Sequence, residues 1–130
     1  VGSVGQGLVI FLGIKKGDTI KDGIYIADKI MNLRIFEDEE GKLNKSILDV
    51  DGELMIVSQF TLYGDCRHGR RPSFFDAEEP LKANKLYEDV VTYCREKGIS
   101  VKTGKFQTMM NVKLDNIGPV TILLDSEKVF

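Results

Sequence analysis

Glu53-Leu54-Met55-Ile56-Val57-Ser58-Gln59-Phe60-Thr61-Leu62 is the stretch on which the reading of this chain turns. Its first half has the apolar, β-branched content of a strand entering a core, and a strand is expected over 53 to 62. Beyond Val57 the chain turns polar without acquiring loop composition, with Ser58, Gln59 and Thr61 set among Phe60, Leu62 and Tyr63. A hydroxyl or amide inside a buried strand must find a hydrogen-bond partner or lose about 1–3 kcal/mol. Polar groups collected at a strand end therefore point to a site. Behind them lies Cys66-Arg67-His68-Gly69-Arg70-Arg71-Pro72-Ser73-Phe74, a basic loop that holds the only histidine.

Upstream, a glycine-rich turn from Gly2 to Gly7 precedes Leu8-Val9-Ile10-Phe11-Leu12-Gly13-Ile14. A continuous apolar run of this length predicts a central strand buried on both faces. Lys15 to Thr19 is a polar turn, and Asp18 or Thr19 can cap the helix that follows. Ile20, Ile24, Ala27, Met31 and Ile35 then recur at helical spacing, which predicts a helix from about Ile20 to Phe36 packed on a sheet. Glu37 to Lys42 is a charged turn, Leu43 to Leu48 a short edge segment, and Gly52 the turn into the opening strand.

Downstream, Pro80 suits a first helical turn, where its missing N–H costs nothing. Ala83, Leu86, Tyr87, Val90, Val91 and Cys94 carry the apolar stripe of a helix over about Pro80 to Lys97, and Gly98 stops it. Strands are expected at Ile99 to Thr103, Met109 to Leu114 and Val120 to Leu124, with Asp115-Asn116-Ile117-Gly118-Pro119 turning between the last two. Strand, helix, strand, helix and three strands place the chain in the α/β or α+β class. Repeats, linkers and low-complexity tracts are absent.

Composition narrows the chemistry. With 130 residues, 42% hydrophobic and 29% charged, the chain can bury one core without disulfides or metal. A net charge of −2 supplies no global pull toward nucleic acid, so such a partner needs a local patch. Cys66 and Cys94 lie far apart in sequence and are expected to stay reduced in a cytoplasmic protein. Neither a bilayer-spanning run nor a signal peptide is visible, so no membrane is expected. The chain opens on Val1-Gly2, and a further N-terminal piece is expected. A catalytic triad needs a histidine beside its nucleophile; His68, in an arginine-rich turn, is expected to be an ordinary loop residue. Zinc needs three or four convergent ligands, and Cys66 with His68 supplies two at most. No metal and no cofactor are expected.

Two motifs then combine. Ser58-Gln59-Phe60-Thr61-Leu62 and Asn116-Ile117-Gly118-Pro119-Val120-Thr121 resemble the paired signatures of the D-aminoacyl-tRNA deacylases. Asn32-Leu33-Arg34-Ile35-Phe36-Glu37-Asp38, Arg70-Arg71-Pro72-Ser73-Phe74 and Thr103-Gly104-Lys105-Phe106 match the same family in the same order. The resemblance implies a single α/β domain over 1–130, with two main helices and a largely antiparallel, mixed or barrel-like sheet. Two departures accompany it: the family's usual N-terminal strand and hairpin are absent, and Gln107-Thr108 stand where small residues are usual.

The implied activity is hydrolysis of the ester joining a D-amino acid, or glycine, to the 3′-terminal adenosine of tRNA. It implies a homodimer in which Gly118 and Pro119, through a cis bond, reach into the opposite subunit's pocket and exclude L-side chains. Backbone amides around Phe60 and Thr61 are implied to hold the oxyanion. Ser58 and Gln59 would position the adenosine, and Phe106 with Met110 (which Met109 adjoins) would wall the pocket. Water, helped by the substrate's 2′-OH, or else Thr61 itself, is the nucleophile. Arg67, Arg70 and Arg71 are candidates for tRNA phosphate contact, or are structural arginines. A non-catalytic RNA- or protein-binding module on the same fold is the competing expectation.

Overall fold

In the computed structural model, which describes residues 5–130, the strand opening at Glu53 is the middle of a three-stranded sheet. β1 (Gly7–Leu12) and the central strand, β4 (Glu53–Ser58), pair in parallel from Gly7↔Glu53 to Leu12↔Ser58. On the other side β5 (Val101–Thr103) pairs with Leu54 to Ile56, again in parallel. Parallel neighbours require a crossover, and the helices α1 (Ile20–Asn32) and α2 (Pro80–Glu96) lie within those connections. A second, antiparallel pair joins β2 (Phe36–Glu37) to β3 (Leu43–Lys45). The α/β class, two main helices and mixed strand directions agree with expectation. Among the described residues the sheet does not close into a barrel.

Side-chain alternation along β4 explains the core. Leu54 and Ile56 are both 0% exposed and share a cluster with Ala27 and Met31 of α1 and Val90 and Cys94 of α2. The two helices are also tied directly, Tyr93 donating its hydroxyl to Asp28 at 2.8 Å. α1 begins where Asp22 accepts the Thr19 N–H at 2.9 Å, whereas Asp18 accepts the Lys15 N–H within the preceding turn. α2 begins at Pro80, with the Glu79 carboxylate accepting from Lys82 N–H.

Several expectations are corrected. Among the described residues β1 lies at the edge of the sheet rather than at its centre: its first four residues are half-buried and Phe11 is exposed. An apolar run records how much apolar surface a strand carries, not which side of a sheet it occupies. α1 stops at Asn32, four residues before Phe36, because Leu33 turns extended (ψ 133°) and Phe36 pairs with β3 instead. Asn32 bonds its own side chain to the Asp28 carbonyl at 2.8 Å, the competition with backbone that makes asparagine a poor helix residue. β4 ends at Ser58, because β1 offers no strand partner past Leu12 and β5 none past Thr103. Residues 60–63 form a 3-10 turn there.

The strands expected at 109–114 and 120–124 are absent; the chain there is irregular and Met109, Leu114, Ile122 and Leu123 are exposed. Alternating sequence is necessary for a half-buried strand but does not supply the neighbour whose hydrogen bonds make it one. The chain end returns to the β1–α1 turn, where Lys15 pairs with Glu127 and Lys128 Nζ stands 5.5 Å from the Tyr25 ring centre. Residues 2–4 of the glycine-rich turn lie outside the described residues.

Candidate active site

Because β1, β4 and β5 run parallel, Leu12, Ser58 and Thr103 finish at the same edge of the sheet. In open parallel sheets the crevice beyond the carboxyl ends is where ligands bind. Two of the three loops leaving that edge carry residues singled out from sequence, 58–63 after β4 and 104–110 after β5.

Ser58 and Gln59 are half-buried, and the Gln59 N–H donates to the Leu12 carbonyl at 2.8 Å, one step past the last paired residue of β4. The chain then tightens: Leu62 N–H reaches the Gln59 carbonyl at 3.2 Å and Gly64 N–H the Thr61 carbonyl at 2.9 Å. Such a turn leaves its first amides without internal partners. Here those are the N–H groups of Phe60 and Thr61, and among the described residues no hydrogen bond uses either. The Thr61 hydroxyl accepts from Gln59 Nε2, an amide and not a base. The exposed Phe60 ring meets Phe74 edge-on, centroids 5.1 Å apart, so the turn leans on the far end of the basic loop.

That loop is pinched shut by two backbone bonds between Asp65 and Ser73, at 2.7 and 2.9 Å. Inside it, Arg67 donates through both Nε and Nη2 to the Asp65 carboxylate, at 2.9 and 2.8 Å. These bonds hold the Asp65 carboxyl well below the usual carboxylate range. Arg67 is thus engaged within the loop, while Arg70 and Arg71 are exposed and, among the described residues, make no ion pair. His68 and Cys66 are also exposed. Cys94 is buried, and burial pushes its thiol up to about 11, the behaviour of a packing residue.

After β5, Phe106 packs half-buried against the core with its ring centre 6.4 Å from that of Tyr87. Met110 folds over Gly104, its sulfur 3.0 Å from where a Cβ on that glycine would stand, whereas Met109 is fully exposed. Gln107 holds φ 57°, a left-handed conformation, and Thr108 closes the turn by donating to the Lys105 carbonyl at 2.7 Å.

Gly118 and Pro119 lie in the irregular segment after β5. Their peptide bond is cis, and Gly118 has φ 127°. Asn116 braces the loop, accepting from the Val120 N–H at 3.1 Å and donating to the Thr121 hydroxyl at 3.0 Å. Both residues are exposed, and among the described residues no hydrogen bond joins them to the 58–63 turn of the same chain. The fold thus gathers Ser58, Gln59, Phe60 and Thr61 in one turn and Phe106 with Met110 in the loop after the neighbouring strand, and among the described residues no hydrogen bond joins Gly118 or Pro119 to either.

A family model described as D-Tyr-tRNA(Tyr) deacylase matches residues 1–125. The chain belongs to this family. It is 57% identical over 130 residues to a D-aminoacyl-tRNA deacylase of Clostridium acetobutylicum, covering 100% of this chain and 87% of that protein. A D-aminoacyl-tRNA deacylase of Thermotoga petrophila shows the same identity and coverage. Among solved structures, one named c-Myc DNA Unwinding Element Binding Protein superposes with a TM-score of 0.85 at 39% identity, over 92% of this chain and 81% of that one.

Sequence reasoning placed two further residues outside the site. Tyr87 is legible as part of a helical stripe, and Gly13 as a residue within the apolar run from Leu8 to Ile14. Gly13 lies against the 58–63 turn, where a Cβ would stand 3.1 Å from Leu62 Cβ. Neither carries a motif; each matters only through what the fold sets beside it.

Proposed function

We propose that this protein hydrolyses the ester between a D-amino acid and the 3′-terminal adenosine of tRNA, releasing the free amino acid and the tRNA. The observation that carries the reading is the pair of amides at Phe60 and Thr61, unpartnered among the described residues, beside Ser58 and Gln59, in a chain of this family. Water adds to the ester carbonyl, and the carbonyl oxygen takes up negative charge where the two amides can donate to it. Collapse breaks the bond to the ribose oxygen, which leaves with a proton. The substrate's 2′-OH assists the attack, consistent with a turn whose threonine faces an amide rather than a base.

Ser58 and Gln59 position the adenosine, and Phe106 with Met110 form the wall. Gly118 and Pro119 act from a second copy of the chain in a homodimer; their exposure and lack of hydrogen bonds to their own 58–63 turn are consistent with this. They select by exclusion, leaving no room for an L-side chain, and a built clash rejects a competitor more strongly than a hydrophobic pocket does. Glycine, having no side chain, passes the same filter, so glycyl-tRNA is a substrate. Arg70 and Arg71, which make no ion pair among the described residues, meet tRNA phosphates in a salt-sensitive way. Arg67 organises the loop that presents them.

The test offers D-Tyr-tRNA and L-Tyr-tRNA in parallel and follows free tyrosine. Loss of the D-ester alone is expected. Equal hydrolysis of both, or binding of the RNA without hydrolysis of either, would overturn the reading; the second outcome would leave a nucleic-acid-binding module.

A further inference from the structure

Tyr87 sits on α2, 5% exposed, and makes two contacts that a plain core residue does not need. Its hydroxyl donates to the carbonyl of Ile56 at 2.7 Å. A buried phenol requires such a partner, but the position of this one matters. Ile56 is the last residue of β4 with a partner in β5, facing Thr103. Beyond that pair the two strands separate, β4 running on to Ser58 and Gln59, and β5 giving way to Gly104, Lys105 and Phe106. The second contact is to Phe106 itself, ring centres 6.4 Å apart and planes tilted by 41°. One side chain therefore holds the central strand two residues before Ser58 and backs the aromatic ring on the neighbouring loop.

We propose that Tyr87 is a positioning residue: anchored through its hydroxyl to the Ile56 carbonyl, it sets where the Phe106 ring stands relative to the 58–63 turn. The inference rests on the reading of Phe106 as a pocket wall. Phenylalanine at 87 preserves the ring and the core volume while removing the anchor, so Tyr87→Phe isolates the hydroxyl in a folded protein. Substrate touching Phe106 then meets a wall free to shift, and the loss falls on binding.

The experiment measures D-Tyr-tRNA hydrolysis by the wild type, Tyr87→Phe, Phe106→Leu and the double variant, with thermal melts to verify folding. Tyr87→Phe is expected to raise KM by roughly three- to tenfold with kcat within about twofold. In the Phe106→Leu background the same change should add less than about twofold, because residues acting through one contact are not additive. An unchanged KM, or an equal factor in both backgrounds, would overturn the proposal. NMR of the Phe106 ring in the free protein separates this from the catalytic reading. Ring signals unmoved by Tyr87→Phe refute the positioning role whatever the activity, whereas an inactive wild type whose ring signals do move refutes only the deacylase reading.

Discussion

Alanine at position 13 would test whether the placement of the 58–63 turn carries the chemistry. An ideal Cβ on Gly13 stands 3.1 Å from Leu62 Cβ and 3.2 Å from two ring carbons of Tyr63. Favourable carbon contacts begin at about 3.5 Å, so the methyl must displace the turn by roughly 0.4 Å. The turn cannot swing away freely, since Gln59 is bonded to Leu12, immediately before Gly13. Overpacking of a well-filled site costs about 1–3 kcal/mol, and a half-exposed turn belongs at the lower end, about 1 kcal/mol. A misplacement of about 1 Å costs about 100-fold in rate, so a shift of about 0.4 Å corresponds to roughly sixfold in kcat. KM should stay within about twofold, because Ser58 remains held in β4 by its pairing with Leu12. Steady-state hydrolysis of D-Tyr-tRNA and a thermal melt, run beside Gly5→Ala, where a Cβ meets nothing within 4 Å, read both quantities. A folded Gly13→Ala protein with wild-type kcat would refute the link between turn geometry and rate.

Thr61→Ala should keep kcat within about tenfold of wild type, because only the backbone N–H is asked to act; complete inactivity in a folded protein would make the hydroxyl the nucleophile. Gly118→Ala should lose most activity, since φ 127° is hostile to a side chain and a Cβ there would meet Val120 Cγ2 at 2.8 Å; wild-type turnover would remove Gly118 from the site. Asp65 has a folded pKa below its unfolded one, so its contribution to stability is complete above the unfolded value and declines as pH falls toward the folded one. The stability gap between wild type and Asp65→Asn, measured by urea unfolding, should be constant at neutral pH and shrink below about pH 4; a gap that widens on acidification would contradict the Arg67 pairing.

The division between what was legible and what was not follows the range of the forces involved. The helical stripes around Ala27 and Met31 and around Leu86 and Val90 are local periodicities, and both helices start where expected, α2 ending within one residue of its predicted end and α1 four residues early. Pro80 and Gly98 bound α2 by local backbone chemistry alone. The clustering of Ser58, Gln59 and Thr61 at a strand end was likewise visible, because a polar group in an apolar run is conspicuous without any knowledge of the fold.

What needed tertiary structure was everything that depends on a neighbour distant in the chain. The edge position of β1 among the described residues depends on which strands pair with it, and the irregular course of 109–124 likewise reflects the lack, among the described residues, of a strand paired with it. The early end of β4 is set by Leu12 and Thr103, tens of residues away; the 3-10 turn follows that ending, and among the described residues the Phe60 and Thr61 amides are unpaired. Sequence alone determined an α/β chain of this family with a polar strand end at 58–61. The tertiary structure decided which groups at that end are available, because a backbone amide is free or engaged only according to what the rest of the chain brings to it.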